Sequence, residues 1–192
     1  MSIRAVIFDL YGVLAMNGWQ AFKAKHFSDR EDIWTEVFEL GRQVDAGLAS
    51  YAELVRFTAE RTGETEATVR YQLEHTLANT ELLHYIATEL KPRYKLGILS
   101  NASNDNIIAQ LFTAAEESLF DSITFSHHVG MTKPDVGMYQ VIAGKLGVSV
   151  EECLFIDDQE RHVTGARAAG MKALLYTDIS SLKTNLAEML DV

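Results

Sequence analysis

Along this chain, short unbroken apolar runs alternate with stretches in which apolar residues recur every three or four positions. The first run is AVIFDLYGVL, from Ala5 to Leu14, where Val6, Ile7 and Phe8 precede Asp9 and a tight Tyr11-Gly12 step. A continuous run of β-branched and aromatic residues predicts a strand buried on both faces of a parallel sheet. Four further runs have the same character: Lys95 to Leu99 ending at Ser100-Asn101, Ser122 to Phe125, Cys153 to Ile156 ending at Asp157-Asp158, and Ala173 to Tyr176. Between them lie helical stripes. Leu82, Leu83, Ile86 and Leu90 form one, stopped by Pro92; Ile107, Ile108 and Leu111 form the next; Tyr139, Ile142 and Leu146 form a third that ends at Gly147. Strands alternating with helices predict an α/β fold whose parallel sheet is covered on both faces.

Residues 15–79 read differently. Strand runs disappear and aromatic residues take helical spacing: Trp19, Phe22 and Phe27, then Ile33, Trp34, Val37, Phe38 and Leu40. Ser28 with Glu31 predicts a capping box for the second of these helices, with Gly41 as its stop. Ser50 with Glu53 predicts another before Leu54, Val55 and Phe57, ending at Gly63, and Val69, Leu73 and Leu77 continue the pattern. The segment is expected to be a helical insertion, 15–79, in a core made of 1–14 and 80–192. Most of its aromatics are expected to pack in its own interior.

The charge narrows the partners. With 27 acidic and 17 basic residues among 192, the net charge of −10 argues against a nucleic-acid groove or an anionic membrane surface. A small anionic ligand then needs local help from a metal or a lysine. The single cysteine, Cys153, sits inside an apolar run and reads as a buried hydrophobe, and one cysteine allows no disulfide within the chain. The sequence enters its first strand at once, and no apolar run approaches the roughly 20 residues of a membrane span. A cytoplasmic protein is the simplest expectation.

Chemistry gathers at the strand ends. Taken alone, Asp9 reads as an aspartate capping a turn. Ser100, Lys133 and the pair Asp157-Asp158 fall at the same edge of the expected sheet, where open α/β folds bind ligands. Three carboxylates brought together disfavour ionisation unless a cation joins them, and a hard ion such as magnesium suits oxygen donors. Lys133 adds a point charge and Ser100 and Asn101 add donors, a set that suits a tetrahedral phosphoryl group. Asp9 is then placed to attack phosphorus as a carboxylate nucleophile.

The segments FDLYGVL, ILSNAS, TKPD and FIDDQERHVTGA, in this order, resemble the four motifs of the haloacid dehalogenase-like (HAD) hydrolase superfamily. The resemblance spans Arg4 to about Tyr176 and rests on the ordered set. It implies a Rossmann-like, doubly wound parallel sheet with an α-helical cap inserted after the first strand, and the first and fourth strands side by side. It implies Asp9 as nucleophile, Ser100 and Lys133 on the phosphoryl group, and Asp158 as a magnesium ligand. The main-chain carbonyl of Tyr11 would be a further ligand, and Asp157 would act directly or through water. Asn101 and Tyr11 are the expected substrate contacts. The implied activity is magnesium-dependent hydrolysis of small phosphorylated metabolites, phosphoric monoesters, through an aspartyl-phosphate.

This chain departs from that pattern in two places. Tyr11 stands where most phosphatases of the family carry a second aspartate as acid and base, and a phenol with a pKa near 10 is a poor base near neutrality. His162 stands where the family often has Asp or Asn, and the sequence suggests no role for it. His127 and His128 are expected to be solvated loop residues. Two other functions compete. FDLYGVL also resembles a stretch of the 2-haloacid dehalogenases, and Arg42 falls at about their cap offset, although Asp157-Asp158 would repel an anionic haloacid without a metal. The third reading is a catalytically weak protein that binds a phosphorylated ligand.

Overall fold

The computed structural model describes residues 2–16, 18–45, 49–102 and 106–190, leaving aside the side chains of Gln20, Ala21, Ala24, Arg42, Val44, Asp45 and Glu74. In chain order, β1 (Ala5–Phe8) and β2 (Ala15–Met16) precede the helices α1 (Gly18–His26), α2 (Glu31–Asp45), α3 (Tyr51–Thr62) and α4 (Glu66–Glu74). Then come β3 (Leu77–Ala78), α5 (Thr80–Tyr85), β4 (Lys95–Ser100), α6 (Asn106–Leu111), α7 (Ala114–Glu117), β5 (Ser122–Phe125) and α8 (Ser126–Val129). The chain closes with α9 (Val136–Leu146), β6 (Cys153–Asp157), α10 (Glu160–Ala168), β7 (Lys172–Leu175) and α11 (Ile179–Met189). Two compact units result, Met1–Ala15 with Ala78–Val192 and Met16–Leu77.

In the first unit five parallel strands take the order β5-β4-β1-β6-β7, so the earliest strand is also the central one. Phe8 pairs with Ile98 on one side and with Ile156 on the other, which puts the first and fourth strands of this sheet side by side. Alternate residues of β1 feed two cores. Val6 and Phe8 pack with Leu82, Ile86 and Leu186 on one face, and Ala5 and Ile7 with Tyr139, Ile142 and Phe155 on the other. Both faces are buried, which is why the strand sequences show no polar alternation. The α/β parallel sheet is the architecture that the apolar runs predict, and its Rossmann-like form is the one that the family resemblance implies.

In the helical unit Phe22, Phe27, Trp34, Val37, Leu54, Val55, Val69 and Leu73 make a separate core. The Ser50–Glu53 capping box forms, and Gly63 ends α3 in the left-handed conformation with φ 74°. The Ser28–Glu31 box does not form. α2 starts at Glu31 itself, and the Glu31 carboxylate pairs with Lys23 at 2.8 Å instead of reaching back to the turn. Gly41 is no stop either, because α2 continues to Asp45. Its lack of a side chain admits the indole of Trp19, whose ring an added Cβ would meet at 2.7 Å. His127 and His128 lie on the one-turn helix α8, where the sequence suggests a loop. Among the described residues, no helix is long and apolar enough to cross a membrane.

Gly41→Ala separates the two readings of that position. In an open helix interior the change gains about 0.5–1 kcal/mol, whereas overpacking against the Trp19 ring costs about 1–3 kcal/mol. The urea midpoint should therefore fall, and a rise would mean that Trp19 yields the space freely.

Candidate active site

β1 stops at Phe8, and the Asp9 amide carries the ladder one step further by donating to the Ile156 carbonyl at 2.8 Å. This fixes the aspartate at the carboxyl edge of the central strand. Its Oδ1 accepts from the Leu10 amide at 2.6 Å, leaving Oδ2 to face the Lys133 ammonium at 2.8 Å. The same ammonium donates to Asp157 Oδ2 at 2.7 Å. Asp9, Lys133 and Asp157 are all buried, at 4%, 3% and 0% exposure. A lysine shared by two carboxylates is thus enclosed at the edge where the sequence places chemistry.

Asn101 holds that lysine from the main chain. Its Oδ1 accepts from the Lys133 amide at 2.8 Å and its Nδ2 donates to the Lys133 carbonyl at 3.1 Å. Each end of the amide thus makes one bond to the Lys133 main chain, and one Nδ2 hydrogen and one Oδ1 lone pair remain for the substrate contact expected from the sequence. Ser100, buried at the end of β4, accepts from the Ala102 amide at 3.3 Å. Tyr11 is partly exposed, and burial together with the Asp9 charge raises its phenol further from neutrality. Gly12 has φ +85°, and an added Cβ would collide with the Asp158 carboxylate. Only glycine lets the Tyr11-Gly12 turn approach so closely.

The three carboxyls are not equivalent. Burial pushes Asp9 up to about 7, with Lys133 opposing and Asp157 adding to the rise. Asp157 also loses hydration, but the Lys133 charge and hydrogen bond outweigh that loss and hold it below the ordinary range. Asp158 is raised by burial and by Asp157, and its Oδ1 is buried without a partner. An orphaned carboxylate oxygen in such a place calls for a cation. A second arrangement also gathers donor atoms, since those of Asp9, Asp157 and His162 lie within 4.8 Å of one another.

His162 is the residue whose part the sequence does not disclose. It is buried on the first turn of α10, with Nδ1 3.1 Å from both oxygens of Asp157. The available signal is its spacing: a residue in the opening turn of a helix that follows a strand can point back at that strand's end. Burial lowers its pKa, against the pull of Asp157. His127 and His128 are exposed on α8, ring centroids 4.1 Å apart, and His127 Nδ1 lies 2.9 Å from the Ala102 carbonyl. Cys153 is buried and its thiol is pushed up to about 12 by burial, which leaves it inert as a nucleophile. The side chain of Arg42 lies outside the described residues.

The sequence profile of the haloacid dehalogenase-like hydrolases matches residues 3–170. The chain belongs to that family. This hydrolase is 30% identical to phosphatase MT3486 of Mycobacterium tuberculosis (strain CDC 1551 / Oshkosh), over 91% of its own length and 88% of the relative's. It is 28% identical to drimenol cyclase drtB of Aspergillus calidoustus over the same share of itself, but spans only 34% of that protein. Among solved structures it resembles the HAD family enzyme bt-2542 of Bacteroides thetaiotaomicron, crystallised with magnesium and inorganic phosphate. That likeness has a TM-score of 0.58 at 23% identity, covering 94% of this chain and 99% of the other.

The raised Asp9 pKa has a consequence for stability. A carboxyl that binds its proton more tightly when folded favours folding below its ordinary value of 3.8, and that contribution is lost as pH rises through about 7. Asp9→Asn removes the penalty of the buried charge. With a chelator present, the Tm of the variant should pull ahead of the parent as pH rises between about 4 and 8. A difference that stays constant across this range would mean that Asp9 is ionised throughout.

Proposed function

We propose that this hydrolase cleaves phosphoric monoesters of small phosphorylated metabolites through an aspartyl-phosphate on Asp9. The observation that carries the reading is the pairing of a lysine-bound Asp9 with the unpartnered Asp158 oxygen at one strand edge. This set offers a nucleophile, an ammonium for an anionic group and an oxygen that requires a cation. The Asp9 carboxylate attacks phosphorus, the bond from phosphorus to the ester oxygen breaks, and the leaving alkoxide takes a proton from solvent water, which the water of the second step returns. Water then attacks the acyl-phosphate, releasing inorganic phosphate and restoring the carboxylate. Lys133 and the Ser100 hydroxyl hold the transferring oxygens and offset their charge.

The residues fit magnesium, the ion bound in the bt-2542 crystals. Asp9, Asp158 and the main-chain carbonyl of Tyr11 would hold it, and it would supply positive charge beside the phosphoryl oxygens. The similarity to phosphatase MT3486 supports the same reading. The helical unit, inserted directly after β1, would serve as the cap that selects the substrate.

Tyr11 sets the substrate class within this activity. With no carboxyl two residues beyond Asp9, the leaving alcohol departs with weaker protonic assistance, a contribution of about 10²–10⁴-fold. Rates should therefore fall steeply as the leaving group becomes more basic, with aryl and acyl phosphates and sugar 1-phosphates well ahead of simple alkyl phosphates. Steady-state kinetics on such a series checks this, and a flat series would show that another group already supplies the proton. Tyr11→Asp should raise the alkyl rates selectively.

Turnover of 4-nitrophenyl phosphate should require magnesium and vanish in Asp9→Asn, while far-UV circular dichroism shows the fold intact. Halide release from a 2-haloacid, with no phosphate release from any ester, would overturn the proposal in favour of a dehalogenase. Phosphate-ester binding without turnover would favour a binding protein.

A further inference from the structure

Asn79 stands where the chain returns to the sheet unit from the helical unit, Met16–Leu77. All four of its polar atoms are engaged. Its main-chain amide donates to the Leu14 carbonyl at 2.8 Å, and its carbonyl accepts from the Leu83 amide at 2.9 Å. Its Oδ1 accepts from the Leu82 amide at 3.2 Å as the N-cap of α5. Its Nδ2 donates to the Val13 carbonyl at 3.0 Å and to the Tyr176 hydroxyl at 3.0 Å. Capping a helix needs only an oxygen, which Ser or Asp supplies equally well. The two hydrogens of the amide nitrogen are what this residue adds.

Those hydrogens tie together two parts of the active edge. Val13 and Leu14 are fully buried and belong to the turn that follows Asp9, which is closed by the Ala15 amide on the Leu10 carbonyl and the Gly12 amide on the Ala15 carbonyl, each at 2.8 Å. The turn carries Tyr11, whose carbonyl is the proposed magnesium ligand, and Gly12, whose backbone runs against the Asp158 carboxylate. Tyr176 follows directly on β7, and its amide donates to the Asp157 carbonyl at 2.8 Å. One side-chain nitrogen thus bridges the turn after β1 and the segment bonded to the end of β6. The two bonds inside the turn fix its shape, but its placement over the strand edge depends on what holds it from outside.

We infer that Asn79 is a positioning residue of the active edge, whose amide nitrogen clasps the turn after β1 and so sets where the Tyr11 carbonyl stands relative to Asp158. It touches neither Asp9 nor the transferring group in this scheme, and acts through the Val13 carbonyl. Without the nitrogen that buried carbonyl loses a donor, and the turn opens more readily while the strands around it stay closed. The inference rests on the phosphoryl-transfer reading for its effect on magnesium but not for its effect on the turn.

The test uses Asn79→Ser in the full chain, because serine keeps an oxygen for the cap of α5 and lacks the amide nitrogen. In the metal-free protein, amide hydrogen exchange at Gly12 and Ala15 should quicken at least about tenfold relative to exchange at Ile7 and Ile98 in the strands. If all four amides quicken by the same factor, or none does, Asn79 only supports the fold and the inference is overturned. The second readout is isothermal titration of magnesium, which the variant should bind about tenfold more weakly than the parent does. An unchanged affinity, against a parent that binds the ion, overturns the inference as well. If Asn79→Ser fails to fold, Tyr176→Phe takes its place, since it removes one of the two acceptors of the amide nitrogen. The same exchange ratio should then rise about threefold, and an unchanged ratio overturns the inference. If the parent neither binds magnesium nor turns over 4-nitrophenyl phosphate, the proposed function fails while the exchange ratio still decides the positioning role.

Discussion

One ammonium group, buried between two carboxylates, is the constraint on which the active edge of this hydrolase depends. Lys133 Nζ lies 2.8 Å from Asp9 and 2.7 Å from Asp157 in a place closed to water. Removing three charges from solvent costs several kcal/mol per ion, which attraction offsets only where geometry is good and remaining donors and acceptors are met. Here they are met by neighbours that hold the trio from every side. The Asp9 amide is tied into the sheet at Ile156, Asn101 clamps the lysine main chain, and His162 and the Gln159 amide complete Asp157. Removing the lysine from such an arrangement is costly, because two carboxylates are then left buried without their cation.

The same constraint explains how an acidic chain can be read as an enzyme for anions. A net charge of −10 repels a phosphorylated ligand at long range. Within the Debye length of about 8 Å at physiological salt, however, local groups dominate. The site concentrates its positive potential in a single enclosed lysine and leaves one carboxylate oxygen, Asp158 Oδ1, in need of a cation. Two adjacent aspartates of identical chemistry thus have unequal neighbours, the Lys133 ammonium and the Gln159 amide on Asp157 and none on Asp158 Oδ1.

Much of this protein was legible in its sequence, for a physical reason. A parallel sheet covered on both faces demands unbroken apolar strands, so the runs at Ala5, Lys95, Ser122, Cys153 and Lys172 announce themselves without any long-range information. The local hydrogen bonds of the Ser50–Glu53 box and the left-handed turn at Gly63 are equally self-contained. The four motifs place Asp9, Ser100, Lys133 and Asp157-Asp158 after successive strands, and a parallel sheet carries all such ends to one edge. Family, architecture and candidate residues follow from patterns short enough to read along the chain.

What only the tertiary structure decided are the contacts between one element and another. Glu31 pairs with Lys23 at 2.8 Å at the start of α2, and Gly41 lies inside that helix with the Trp19 ring against it. Asn101 clamps the Lys133 main chain because Lys133 arrives beside it, thirty-two residues along the chain. His162 acquires a part because the first turn of α10 faces the end of β6. In each case a side chain has several local options of similar energy, and the partner that selects among them is brought near by the packing of one element against another.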